Sequence, residues 1–397
     1  MPKIKVNGLT KIFGKNPKAG MKLLEEGKTK DEILQKTGLT VGVNQVSFEV
    51  EEGELFVIMG LSGSGKSTLI RLINRMIEPT SGDIFIDDVE LSAMGEEELR
   101  KARRDKMSMV FQNFGLFPHY TILENTAYGL TTKGVPQEEA NKRAMEALDM
   151  VNLKGYLDQY PDQLSGGMQQ RVGLARALAT DTDILIMDEA FSALDPLIRK
   201  EMQDELLLLQ SEMQKTVLFI THDLNEALKL GDKIALMKDG ELIQVDTPEN
   251  LLSHPANDFV REFVQDVDRS KVLTAENVMI RPDTINITKH GPRAALSKMQ
   301  RSGNSSIFVV NNRRELQGYV TAEDAAKYVD QGKTYLDQIL RTDVKAVSPD
   351  EPLDNIVSEI TDIKVPMVVL EGNVLKGIMI KGTVLAALAG KGVSYDG

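Results

Sequence analysis

Apolar side chains along this chain follow two different repeats, and the changes between them divide it. Residues 3–13 and 41–50 alternate apolar and polar, the two-residue period of half-buried strands. Leu55 to Met59, Ile184 to Met187 and Thr216 to Thr221 are instead continuous apolar runs. They are too short for buried helices and suit strands covered on both faces. Helical spacing follows in Thr68–Met76 and Gln169–Ala179. Strands alternating with helices up to about residue 263 predict an α/β fold with its ligand at the strands' carboxyl ends. A lysine- and glutamate-rich insert, about 15–40, separates the first two strands, with helical sections near Met21–Leu24 and Ile33–Leu34.

The polar stretch Val264 to Lys271 predicts a linker at 264–273. Beyond it the pattern repeats after roughly 60 residues. Pro292-Arg293-Ala294-Ala295-Leu296 pairs with Pro352-Leu353-Asp354-Asn355-Ile356, each proline suiting a first helical position. Ser306–Val310 pairs with Val365–Val369, and Gly318-Tyr319-Val320 with Gly377-Ile378-Met379. The recurring β–β–α order predicts one pseudo-symmetric α+β domain, 274–397, built from copies at 274–335 and 336–390.

The chemistry enters at Gly60-Leu61-Ser62-Gly63-Ser64-Gly65-Lys66-Ser67, a phosphate-binding loop of the G-x-x-x-x-G-K-[ST] form. It stands between a buried strand and a helix, the context the motif requires. Gly60, Gly63 and Gly65 let backbone amides close around phosphate, with Ser62, Ser64 and Thr68 beside them, and the helix turns its positive end to the same anion. Composition narrows the class. With 397 residues, two or three domains are expected. The absence of cysteine excludes disulfides and thiolate metal sites and matches a cytosolic protein. No leader is expected, and no apolar run approaches the roughly 20 residues needed to cross a bilayer, so a membrane role would come through a partner. The net charge of −12 lies wholly before residue 272, because 272–397 carry 15 basic and 15 acidic residues. So acidic a phosphate-binding portion argues against nucleic acid.

Leu164-Ser165-Gly166-Gly167-Met168-Gln169-Gln170-Arg171 resembles the signature of ATP-binding-cassette (ABC) ATPases. Gln112, Asp188-Glu189, Ser192-Ala193-Leu194-Asp195 and His222 follow the family's other motifs in order, so the resemblance covers 1–263. It implies ATP and Mg²⁺ as ligands. Lys66 would place its charge on the β- and γ-phosphates. Ser67, Gln112 and Asp188 would hold the metal. Glu189 would be the general base or water-positioning carboxylate, helped by His222 and Gln112. Phe13 matches the family's adenine-stacking aromatic, or else it is a core side chain. Ser165, Gly166, Gly167 and Asp195 would complete the nucleotide site of a second copy in a head-to-tail dimer. A helical subdomain at about 113–175 is implied. Within it Phe114, Leu116, Phe117, Pro118 and Tyr120 are either a permease-docking surface or subdomain core.

The C-terminal repeats resemble cystathionine-β-synthase (CBS) modules, which bind adenine-containing nucleotides. In Gly318-Tyr319-Val320-Thr321-Ala322-Glu323-Asp324, Thr321 and Asp324 would hold ribose and phosphate of an adenine nucleotide or a cyclic dinucleotide. The second copy has Ile380 and Thr383 there, so either one site has degenerated or the ligand lies elsewhere. No acid occurs from Thr284 to Arg314, while Lys289, Arg293, Lys298 and Arg301 do. The last three share one helix face, which either touches anionic lipid as an ionic-strength sensor or is simply solvated. A cassette with this insert and a CBS pair resembles the ATPase subunits of quaternary-amine importers such as those for glycine betaine and proline betaine. The resemblance implies an osmoprotectant importer motor on the cytoplasmic face of a bacterial membrane, with a permease and a solute-binding protein or domain as partners. Import of another small solute, or a soluble ABC ATPase, is the alternative.

Overall fold

In the computed structural model, residues 2–265, 267–360, 363 and 365–389 are described. The chain forms two compact units, Met1–Gln265 and Asp266–Gly397.

In the first unit, β1 (Pro2–Phe13) pairs antiparallel with β2 (Thr40–Glu51) and β4 (Ser81–Ile86), and β5 (Val89–Glu90) closes a four-stranded sheet. The second sheet runs β10-β9-β3-β8-β7-β6. There β3 (Leu55–Gly60), β6 (Met107–Val110), β7 (Ile184–Asp188), β8 (Thr216–Thr221) and β9 (Lys233–Lys238) are parallel, and β10 (Glu241–Asp246) returns antiparallel. All six residues of β3 are buried, which is why its sequence lacks alternation. Phe56 and Ile58 join Leu69, Ile73, Ile186, Leu218 and Ile220 in the main core, each such burial contributing about 1.5–3 kcal/mol. Register matters most for function. Met59 stands opposite Thr221, Asp188 opposite Ile220 and Val110 opposite Met187. The segments that follow β3, β6, β7 and β8 therefore leave the sheet at one edge.

Helices α1 (Pro17–Glu25) and α2 (Lys30–Thr37) form the insert, and α3 (Lys66–Ile73) follows the phosphate loop. α3 begins two residues before the periodicity predicts and ends sooner, where Arg75 takes a left-handed φ of +54°. After α4 (Glu96–Lys106), the helices α5 (Ile122–Thr132), α6 (Gln137–Met150) and α7 (Gly166–Ala179) pack on one another between β6 and β7. α8 (Pro196–Met213), α9 (Leu224–Leu230), α10 (Pro248–Ser253) and α11 (Asp258–Phe263) complete the unit.

The second unit repeats its topology. After α12 (Ala275–Val278), β11 (Thr284–Asn286), β12 (Ser306–Val310) and β13 (Leu316–Thr321) form one sheet, flanked by α13 (Pro292–Ser302) and α14 (Ala322–Asp330). β14 (Ala346–Val347), β15 (Met367–Glu371) and β16 (Val374–Met379) form the other, with α15 (Leu353–Ile360) and α16 (Lys381–Leu388). The two cores do not divide at residue 335. Leu273, Ala275 and Val278 pack with Leu353, Ile356 and Met379, while Leu336 and Ile339 pack with Ile285, Met299 and Val320. Each repeat thus lends its leading segment to the other.

Candidate active site

The phosphate loop is shaped by what two of its glycines lack. Gly60 has φ +153°, and a Cβ there would stand 2.3 Å from the Met237 carbonyl oxygen. Gly65 has φ +104°, and a Cβ would stand 2.4 Å from the Gly42 carbonyl oxygen. Between them the Ser64 amide donates to Leu61 O at 3.1 Å, and Ser64 O accepts from the Gly240 amide at 2.9 Å. Lys66 opens α3 and is 5% exposed, its Nζ donating to Gly60 O at 2.8 Å and Leu61 O at 3.2 Å. Burial pushes its pKa down, against the pull of the Glu189 and Asp188 charges. Ser64 Oγ is buried without a partner, whereas Ser62, Gly63 and Ser67 are exposed and Thr68 is half-buried. The loop thus presents amides, hydroxyls and a desolvated ammonium, as a phosphate cradle should.

Beside it, β7 ends at Asp188, and Glu189 leaves the strand with a left-handed φ of +45° while its amide donates to Ile220 O at 3.0 Å. That kink belongs to a residue with a Cβ, so it is held by its surroundings. Glu189 Oε2 lies 3.4 Å from Gln112 Nε2 and 3.4 Å from His222 Nδ1. Ser192 Oγ donates to Glu189 O at 2.8 Å and accepts from Gln112 Nε2 at 3.1 Å. Three strand ends therefore converge on one carboxylate. Ser192 is the link that motif reading passed over. Asp188 is half-buried; burial and then the Glu189 charge raise its pKa, while Arg71 and Lys66 oppose the rise. The exposed Ser67 hydroxyl, Gln112 and the Asp188 carboxylate offer hard oxygen donors, a set that fits magnesium shared with phosphate oxygens.

Phe13 is 40% exposed, with Lys11 Nζ 5.3 Å from its ring centroid, which disfavours the core alternative. A Cβ on Gly42 would meet both the Phe13 ring, at 2.8 Å, and Thr68 Cγ2, at 3.1 Å. The ring and the helix after the phosphate loop therefore border the same glycine.

The signature residues lie apart from this cluster. Ser165 caps α7 by accepting from the Met168 amide at 3.4 Å, so Gly166 and Gly167 already belong to the helix, rather than to a turn before it. Asp195 likewise caps α8, its Oδ1 accepting from the Ile198 amide at 3.1 Å. The recorded bonds of Ser165 and Asp195 are with the first turns of their own helices, and none joins them to the phosphate loop.

After Gln112 the chain turns through Phe114 and Gly115, both left-handed at φ +56° and +58°. Arg176 of α7 holds that turn, donating to Phe114 O at 3.0 Å and Gly115 O at 2.6 Å. Next come three rings, Phe117, Tyr120 and Tyr128, 37–41% exposed and 4.6–6.2 Å apart between centroids. Asn125, fully buried, accepts from the Phe117 amide, and its two amide protons are shared among the carbonyls of Phe117, Tyr120 and Thr121. Exposed rings on a pinned loop and on the helix α5 after it are a surface, not subdomain core.

In the second unit, Thr321 caps α14 and donates to Asp324 Oδ2 at 2.8 Å. Arg341 binds the same oxygen at 2.6 Å, and these partners, Thr321 foremost, hold the Asp324 pKa below the usual range. Thr321 and Arg341, though not Asp324 itself, border a cleft of about 790 Å³ that also includes Ser306, Tyr319 and Lys345. On α13, Arg293 and Arg301 are exposed, as is Lys289 before the helix. Lys298 is different: it pairs with Asp283 at 3.3 Å and donates to Thr284 O at 3.1 Å. The basic face thus loses one cation to an acid standing just outside the acid-free stretch.

A family model for ABC transporters matches residues 43–192, and one for the CBS domain matches 275–331. The chain is 58% identical over its full length to the glycine betaine/carnitine transport ATP-binding protein GbuA of Listeria monocytogenes, matching 100% of both chains. It is 47% identical to the glycine betaine/proline betaine transport system ATP-binding protein ProV of Escherichia coli, over 99% of each. Among solved structures, the dimeric ATP-binding cassette MJ0796 in a post-hydrolysis state bound to ADP and Pi matches 62% of this chain and 98% of its own, at 35% identity and TM-score 0.53. No helix among the described residues is long and apolar enough to cross a membrane. ATPases of this family bind ATP with magnesium, dimerise and work on a membrane permease. The chain belongs to the ATP-binding subunits of the ABC transporters, ATPases that drive transport, and carries a C-terminal CBS domain.

Proposed function

We propose that this subunit powers import of glycine betaine or a related quaternary amine from the cytoplasmic face of the cell membrane. The observation that carries the motor reading is the convergence of Gln112, His222 and Ser192 on Glu189, beside the desolvated Lys66. The solute rests on relatives whose names specify glycine betaine, at 58% and 47% identity over essentially the whole chain.

Triphosphate enters with its base against Phe13 and its phosphates in the loop 60–68. Lys66 neutralises the β- and γ-oxygens, and its low-dielectric seat strengthens that attraction. Ser67, Gln112 and Asp188 would hold magnesium, which supplies charge neutralisation on the phosphates. Glu189 orients and deprotonates the attacking water. Its carboxylate is held ready by Gln112 and His222 at its edge, and by Ser192 on its carbonyl. His222, 58% exposed, is free to turn to the γ-phosphate. Ser165, Gly166, Gly167 and Asp195 of a second copy close the site, since within one chain the bonds of Ser165 and Asp195 stay in their own helices and do not reach the phosphate loop. The permease docks on Phe117, Tyr120 and Tyr128, next to the turn after Gln112, and brings with it a solute-binding protein or domain. The CBS unit regulates turnover through an adenine nucleotide or cyclic dinucleotide in the cleft bordered by Thr321 and Arg341, with Asp324 holding both from behind. Lys289, Arg293 and Arg301 add an ionic-strength response at anionic lipid.

The test is reconstitution with the permease in vesicles, measuring uptake of labelled solutes. Glu189→Gln should bind ATP normally and lose both turnover and uptake, while removing residues 272–397 should leave turnover but abolish its response to salt. Hydrolysis that survives Glu189→Gln removes the assigned base. Uptake of solutes other than quaternary amines replaces the substrate.

A further inference from the structure

The insert between β1 and β2 reaches both ends of the nucleotide site. Neither α1 nor α2 has a core of its own, so Ile33 and Leu39 pack against Ile12 and Val41 of the strands. Gly20 permits that approach, since a Cβ there would stand 3.0–3.2 Å from methyl groups of Ile12 and Leu39. Ile12 immediately precedes Phe13, so the insert is anchored at the base end of the site. Its far end is fixed by a reciprocal cap. Thr29 Oγ1 accepts from the Glu32 amide at 3.3 Å, and Glu32 Oε2 accepts from the Thr29 amide at 2.9 Å. That cap orients Lys30, the first residue of α2, and its Nζ donates to Gly63 O at 3.3 Å. Of the two acids in the first turn of α2, Asp31 and Glu32, the second is already committed to Thr29 and to Lys28 at 3.8 Å. Gly63 itself is open, with nothing within 4 Å of where a Cβ would be, so the tip of the loop has little else to steady it.

We propose that Lys30 is a second cation of the nucleotide site, supplied by the insert: it steadies the loop at Gly63 and adds its charge to the field on the bound triphosphate. The proposal rests on the nucleotide-site reading. A unit charge a few ångströms beyond the loop acts through partly solvated protein, so its effect is modest, grows with ligand charge and fades with salt. The experiment is calorimetric titration of the full chain with ATP, ADP and adenosine, magnesium chelated, at low and high salt. Lys30→Gln should weaken ATP about three- to tenfold at low salt, ADP less and adenosine not at all, the loss shrinking at high salt. Lys30→Arg should keep most of the affinity. Equal, salt-independent losses for ATP and ADP would reduce Lys30 to a brace, and ATP affinity within twofold of the parent would end the proposal altogether. Lys66→Ala in the same titration separates the two readings. If it too binds ATP normally, the nucleotide site itself is wrong; if it alone fails, only the insert's part is.

Discussion

Arg176 offers the sharpest test of how the helical subdomain controls chemistry. Its guanidinium is largely buried, burial pushes its pKa down, and both recorded bonds go to carbonyls of the turn after Gln112. Charge-assisted hydrogen bonds contribute about 1.5–3 kcal/mol each. Two make about 3–6 kcal/mol gross, less the cost of desolvating a cation that has no carboxylate partner among the described residues. Phe114 also relies on outside support for its left-handed backbone, a strain of about 1–2 kcal/mol. Arg176→Met keeps the aliphatic stem and removes the fork. We expect a net loss of about 2 kcal/mol in holding the turn, or roughly thirtyfold in its population. Gln112 lies two residues upstream, so turnover should fall by up to that factor. ATP affinity should stay within twofold, because Lys66 and the phosphate loop are untouched. Hydrogen exchange of the amides of 111–117 reads the turn directly, and steady-state hydrolysis reads the consequence. Arg176→Lys should fall between, since an ammonium cannot fork to two carbonyls. Unchanged exchange with lost turnover would place the effect elsewhere, and unchanged turnover with faster exchange would show that the turn does not position Gln112.

Three further outcomes follow from the geometry. Gly60→Ala puts a Cβ 2.3 Å from the backbone oxygen of Met237, so the loop must shift: ATP binding should weaken more than about tenfold, and the melting temperature should fall with it. Glu226 is buried and hydrogen-bonded by Thr221 and Gln203, and burial raises its pKa. A raised carboxyl pKa makes stability greatest below the unfolded value, about 4.3, and erodes it as pH rises toward the folded value. Glu226→Gln should therefore gain melting temperature over the parent progressively across that window, and an unchanging difference from pH 4 to 8 would contradict this. Replacing Phe117, Tyr120 and Tyr128 together by Ser should leave hydrolysis by the isolated subunit unchanged, yet weaken permease association ten- to a hundredfold, about 1.4–2.8 kcal/mol, measured by co-purification from vesicles.

What was legible in the sequence was local. The loop 60–67, the acids 188–189 and the signature at 165–167 each declare themselves within a few residues, because the backbone shape they need is set by neighbouring glycines and strand ends. The convergence of the first two was legible too, once parallel strands implied a shared carboxyl edge. The long-range pairings were not. Lys30 meets Gly63, Arg176 meets Gly115, and Asp324 meets Arg341, none of which has a periodic or motif signal. Asn125 reads as an ordinary polar helix residue until its four bonds to the preceding loop are seen. The repeat unit was visible while its exchanged cores were not, since apolar Leu336 and Ile339 fit either copy equally well by pattern. Lys298 failed for a simpler reason: Asp283, one residue outside the acid-free stretch, folds back onto it.

The signature and the carboxylate proposed as catalytic are joined within one chain by packed and hydrogen-bonded contacts. Ser165 uses a lone pair to cap α7, but a hydroxyl also carries a proton, and the long 3.4 Å bond from Met168 leaves that proton for an outside acceptor such as phosphate. The next turn is held hard: a Cβ on Gly167 would stand 2.5 Å from Ile198 Cγ2, so the start of α7 lies on the first turn of α8. That turn is capped by Asp195, and Arg199 of the same helix gathers the carbonyls of Phe191 at 3.2 Å and Leu194 at 3.0 Å. Those carbonyls belong to the short segment that begins at Glu189, whose own carbonyl accepts from Ser192. Close-packed and hydrogen-bonded contacts of this kind shift together rather than yield one by one. On the proposed closure by a second copy, a phosphate drawing on Ser165 would therefore pull on the body that carries Glu189 of the same chain. With that carboxylate assigned to the other nucleotide, the two sites of the dimer would be energetically coupled.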